Sequence, residues 1–144
     1  MIRLDASTER EWGLMAVTGS EQAEITQTVD LYVEGMRNGD GAKLREAFHA
    51  QAWMFGSLGG TRYDEPIGEL ITMVDGHSVD VDGSYQARVV SIQQAGDAAF
   101  AVVEEDGCWG TVSFTDFFTL GQIDGRWVIV NKTFAHTGGE PPAM

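Results

Sequence analysis

The stretch that constrains this chain most is a hairpin near its C-terminal end, Cys108 to His136, in which two runs rich in β-branched and aromatic residues flank Asp124-Gly125. Asp-Gly between such runs supplies the positive φ angles of a type I′ turn, whose twist matches that of paired strands. A polar intruder stands out within the pair. Asp116 lies in mid-strand, alternating with Val112, Phe114, Phe118 and Leu120 on one face. A carboxylate on an apolar strip is either turned to solvent, satisfied inside the core, or kept for chemistry.

With 144 residues, 43% of them hydrophobic, the chain has material for one domain with a real core. The sequence divides into an N-terminal arm over 1–17, a single domain over 18–138 and a tail over 139–144. A net charge of −13, from 22 acidic and 9 basic residues, disfavours nucleic acid and anionic membrane surfaces, both of which bind through Lys and Arg. The single cysteine, Cys108, excludes an internal disulfide and reads as a buried strand thiol. The start, Met-Ile-Arg-Leu-Asp, lacks the basic segment and long apolar core of a signal peptide, which gives a cytoplasmic expectation.

Thr18 and Glu21 have the spacing of a capping box, and Ile25, Val29, Tyr32, Val33 and Met36 form a helical stripe that ends at Asn38-Gly39. Asp40 is a candidate N-cap for a second, shorter helix with Leu44, Ala47 and Phe48 facing inward. A brief strand over 51–58 runs into a glycine loop. Pro66 then opens a third helix with Ile67, Leu70, Ile71 and Val74 on its stripe. Strands over 84–93 and 98–105, turns at Gly96 and at Asp106-Gly107, and the hairpin complete an antiparallel meander. Helices first and sheet afterwards indicate the α+β class, with three helices packed on a strongly curved antiparallel sheet.

Two stretches carry a family likeness: Tyr-Val-Glu-Gly-Met-Arg-Asn-Gly-Asp at 32–40 running into Leu-Arg-Glu-Ala-Phe-His at 44–49, and Asp116-Phe-Phe-Thr-Leu with Ile-Asp-Gly-Arg-Trp-Val-Ile-Val-Asn-Lys-Thr-Phe at 123–134. Together they resemble the nuclear transport factor two-like superfamily, a cone-shaped fold, and within it most closely the lumazine-binding branch. The resemblance implies a small-molecule pocket and leaves the activity open, since one cone hosts isomerases, dehydratases, cyclases, hydrolases and plain binding modules. Aligned with the ketosteroid isomerases of the same fold, the chain places Tyr32 at their oxyanion tyrosine and Asp116 at their protonated aspartate. Their general base falls near Gly56, which cannot take a proton.

The resulting expectation is an apolar cone that binds a small hydrophobic carbonyl compound, with Tyr32 and Asp116 donating hydrogen bonds to its oxygen and no cofactor required. Isomerisation, dehydration or proton transfer are the reactions such a site suits; a non-catalytic binder or homodimerisation module is the alternative. His136 is a candidate replacement base. A regular two-residue hairpin sets Asp116 opposite Thr133, which puts Lys132, Phe134 and His136 on the other face. Only a β-bulge brings both sets together. Lys132 is either a pocket cation or a solvated strand lysine, and His49 either a cap or a lining group. Met36, Trp53, Phe55, Met73 and Phe118 are core residues of which two or three should line the wall, with Phe134 as a further candidate. His49, His77 and His136 lack metal-ligand spacing, so no metal is expected. Trp109, Phe117 and Trp127 lie among the sheet residues, and an apolar convex face would be covered by a second copy.

Overall fold

The computed structural model describes residues 19–141. The expected arm over 1–17, the cap at Thr18 and the last three residues lie outside them. Helix α1, Gly19–Asn38, presents Ile25, Val29, Tyr32 and Met36 at helical spacing, all buried. Gly39, at φ 62°, turns the chain into α2, Gly41–Ala47. Its N-cap is Asp40, whose side chain accepts from the backbone of Ala42 and Lys43. Phe48 ends α2 in an extended conformation and starts β1, Phe48–Leu58, without a loop.

Gly59 and Gly60, at φ 57° and 85°, reverse the chain into β2, Thr61–Pro66, a strand the sequence reading took for loop. It is an edge strand with mostly exposed side chains, so no alternation of apolar residues marks it. Pro66 then opens α3, Ile67–Val74, which buries the expected stripe. Four strands follow: β3, Gln86–Ala95; β4, Ala98–Cys108; β5, Val112–Ile123; and β6, Arg126–Gly138. The sheet has six strands in the order β2-β1-β6-β5-β4-β3, antiparallel throughout except where β1 runs parallel to β6. Among the described residues, three helices against this sheet make the α+β cone.

Two irregularities set which residues face the interior. Asp106-Gly107 is not the turn the sequence suggests. Gly107, at φ 72°, forms a bulge, β4 continues to Cys108, and the chain reverses at Trp109-Gly110. A Cβ on Gly107 would stand 2.4 Å from the Ser84 carbonyl oxygen. Glu105 and Cys108 therefore both point inward, although a regular strand would place them on opposite faces. In the last hairpin Asp124-Gly125 makes the expected turn, at φ 52° and 78°. Pairing then shifts between Thr119↔Asn131 and Leu120↔Ile129, leaving Val130 as the extra residue. The register beyond it is Phe118↔Lys132, Asp116↔Phe134 and Phe114↔His136, not the Asp116↔Thr133 pair of a regular hairpin. All six side chains share the inner face.

Candidate functional site

Asp116 is fully buried on β5, and Lys132, on the adjoining strand, is 5% exposed. Their nearest atoms, Nζ and Oδ1, are 3.5 Å apart. At that separation the two groups are in ion-pair range without hydrogen-bond geometry, and among the described residues neither carboxyl oxygen of Asp116 meets a partner in good hydrogen-bond geometry, although the Glu105 carboxyl lies close enough to act on the Asp116 proton. Burial pushes the Asp116 carboxyl well above the usual carboxylate range; the charge of Glu105 pushes the same way and Lys132 opposes it. The Lys132 ammonium lies 4.4 Å from the centroid of the Phe134 ring and 6.0 Å from that of Tyr32.

The hydroxyl of Tyr32 donates to Glu105 Oε2 at 2.8 Å, and that of Tyr85 donates to Glu105 Oε1 at 2.6 Å. The Tyr32 hydroxyl, expected to donate to a ligand oxygen, is directed at Glu105 here. Glu105 was missed in the sequence reading although the signal was there: Ala101, Val103 and Glu105 alternate on β4 as Asp116 does among its apolar neighbours on β5. Tyr85 is placed by the strap between α3 and β3, where Asp80 accepts from its backbone N–H and the Arg37 guanidinium covers its ring at 5.0 Å. The proton of Tyr32 is thus engaged, its ring packed edge-on against Phe118 at 4.8 Å. Burial raises the phenols of Tyr32 and Tyr85 and the thiol of Cys108 above their ordinary values, so all three stay protonated at neutral pH.

Beyond this cluster on the inner face Phe114 and Phe134, each 8% exposed, meet edge to face at 5.5 Å, flanked by Trp109 and Tyr63. These rings form an aromatic collar. His136 stands in it, 6.1 Å from Phe114, with Nδ1 accepting from the Gly59 N–H and Nε2 against the carbonyls of Gly138 and Gly139. Both ring nitrogens are therefore occupied by backbone.

Gly56 faces the interior opposite Phe134, where a Cβ would stand 2.5 Å from the Phe134 carbonyl oxygen. The position to which the resemblance assigns the isomerases' base is here filled by the neighbouring strand. Met36 and Phe118 are buried as expected. Trp53, Phe55 and Met73, expected as wall residues, are 43%, 41% and 48% exposed and do not line the interior. The two strand aromatics sit on the outer face because Ala52, Met54 and Gly56 occupy the inner positions of β1. His49 belongs with a shallow groove of about 250 Å³ beside the Asp124-Gly125 turn, at the far end of the hairpin from the collar. Among the described residues no cluster of His, Cys, Asp and Glu could hold a metal ion, and no helix is long and apolar enough to cross a membrane.

The profile of the family described as "Putative lumazine-binding" matches residues 20–135, most of the chain. The chain belongs to that family. Among solved structures, this lumazine-binding-like chain resembles a nuclear transport factor two-like protein of unknown function from Methylobacillus flagellatus KT, with 30% identity, a TM-score of 0.77 and 84% of this chain and 95% of that one covered. A second such protein, from Silicibacter pomeroyi DSS-3, gives 30% identity and a TM-score of 0.74 over 84% of this chain and 100% of that one. A ketosteroid isomerase-like protein from Erwinia carotovora atroseptica SCRI1043 shares the fold at 15% identity and a TM-score of 0.64, over 83% and 98% of the two chains. Among curated proteins the chain is similar to Aldolase FrzH of Cladobotryum sp, 28% identical over 82% of this chain and 93% of the relative.

Proposed function

We propose that the cone binds a small, largely apolar carbonyl compound, which enters through the aromatic collar and brings its oxygen to the Asp116 carboxyl. The observation that carries this reading is the pair of Asp116 oxygens, fully buried and, among the described residues, without a partner in good hydrogen-bond geometry, beside a buried cation. Such a group is completed by an ordered water, by a proton shared with the neighbouring Glu105 carboxyl, or by the oxygen of a ligand, and a ligand is the reading taken here. Held uncharged by its surroundings, Asp116 donates a hydrogen bond to the carbonyl and stabilises negative charge developing there. The chemistry this suits is proton transfer at the carbon next to the carbonyl, as in isomerisation, dehydration or aldol reactions. Similarity to an aldolase supports that class. Tyr32 and Tyr85 act at one remove, by fixing Glu105.

A second reading, a non-catalytic binder, is favoured by Gly56, where Phe134 leaves no room for a base. On either reading the exposed row of Phe55, Thr133 and Phe117 across the outer face, with Trp53 beside it, suits pairing with a second copy of the chain. Asp116→Asn keeps a donor at the same place. Titrated with an acetylnaphthalene by quenching of tryptophan fluorescence, the variant is expected to bind as wild type does. A tenfold loss of affinity removes the neutral-donor role.

A further inference from the structure

The chain has two lysines, Lys43 and Lys132, and one of them is inside the protein. Taking an ammonium group out of water costs several kcal/mol, roughly, unless a partner offsets it. The partner here is the Asp116 carboxyl at 3.5 Å, out of good hydrogen-bond geometry and itself beside Glu105, with two aromatic faces around the amine. Such an arrangement is a poor device for stability. It is a good one for reactivity, because a primary amine stripped of water beside an acid is the setting in which carbonyl compounds condense with lysine. The competing nucleophiles are committed: both tyrosine hydroxyls donate to Glu105, and the Cys108 thiol is kept protonated. Lys132 lies on β6 between the fully buried Ile129 and the collar residue Phe134.

We propose that the Lys132 amine attacks the carbonyl carbon of the bound ligand and forms a Schiff base with it, an inference that rests on the ligand placement set out above. The steps balance without an outside reagent. The pair reacts with its one shared proton on Asp116, the uncharged acid described above, and with Lys132 as the neutral amine. The nitrogen lone pair forms the C–N bond while the carbonyl electron pair goes to oxygen, which takes the Asp116 proton. The Asp116 carboxylate then removes a proton from nitrogen and passes it to the new hydroxyl, which leaves as water as the C=N bond forms. The products are an iminium cation, an Asp116 carboxylate paired with it, and one water molecule. The iminium acidifies the adjacent C–H, and the Asp116 carboxylate is in place to accept that proton as the enamine forms. The base absent at Gly56 is thus made by the condensation itself, and hydrolysis returns the pair to its starting state.

The test is reductive trapping of the whole protein with naphthaldehyde and cyanoborohydride at neutral pH, followed by peptide mass mapping, with binding of the same aldehyde read separately by tryptophan quenching. Lys43 serves as the internal control. The expected result is an adduct on Lys132 at least tenfold faster than on Lys43, lost in Lys132→Arg and slowed at least tenfold in Asp116→Asn with aldehyde affinity unchanged. Binding without an adduct on Lys132, or equal labelling of the two lysines, overturns the Schiff base and leaves the carbonyl-binding site standing. Absence of any binding overturns both. The wild-type map decides the question even where the arginine variant fails to fold.

Discussion

Asp116 carries a pH signature that can be read without knowing the ligand. Its carboxyl is held above the ordinary range by burial, so the folded chain keeps that proton to a higher pH than the unfolded chain does. As pH rises past about 4 the unfolded state releases its proton first and stability falls, by up to about 1.4 kcal/mol per pH unit, until the folded-state value is reached. Asparagine cannot ionise. Urea unfolding between acid and neutral pH should therefore show Asp116→Asn gaining on wild type as pH rises; a constant difference contradicts a protonated Asp116. Carbon-13 NMR titration of the same carboxyl should give a midpoint above the reference of about 4. Glu105 offers a second check. Glu105→Gln removes a charge that raises the Asp116 value, and its amide nitrogen cannot accept the tyrosine proton it now faces. The variant should lower the Asp116 midpoint and lose about 1–3 kcal/mol of stability.

Among the elements, the bulge at Val130 sets which residues of β6 face the interior. Deleting Val130 removes the bulge yet keeps Phe118↔Lys132 and Asp116↔Phe134 in register, so Lys132 and Phe134 stay on the inner face. The expected outcome is a folded protein with native-like proton chemical-shift dispersion; collapse of that dispersion contradicts this register. Gly56→Ala forces a methyl group against the β6 backbone, which cannot swing aside as a side chain would. A loss of about 1–3 kcal/mol in unfolding free energy is expected. The helices, the Asp40 cap and the Asp124-Gly125 turn could be read from the sequence because each depends on a few adjacent residues. The facing of Lys132 could not, since it hangs on one inserted residue whose extrusion is set by sheet curvature and leaves no local mark. For the same reason Asp106-Gly107, a good turn pair by composition, became a bulge under the Ser84 backbone. Trp53 and Phe55 misled in another way. Size and apolarity point large aromatics inward, whereas the interior positions of β1 go to Ala52, Met54 and Gly56, the last of them pressed against Phe134.

At the scale of the molecule, the outer face joins Phe55 to Phe117 through Thr133, with Val102 in line beyond, an exposed apolar strip on an acidic protein. If this strip is where two copies meet, sedimentation equilibrium should report a dimer and Phe117→Glu a folded monomer. A monomeric wild type removes that reading and leaves the interior chemistry untouched. The parallel seam between β1 and β6 has a consequence in time. The first strand of the sheet finds its central neighbour only in the last, so during synthesis the cone cannot close until β6 has been made. Until then the apolar stripe of α1 and the inner faces of β4 and β5 stay uncovered, and folding waits on a contact spanning more than half of the sequence. Topologies of this kind fold slowly, on the order of milliseconds to seconds, and expose the nascent chain to aggregation meanwhile. The strong negative charge then serves a purpose before any ligand arrives, keeping half-made copies apart while they wait for their final strand.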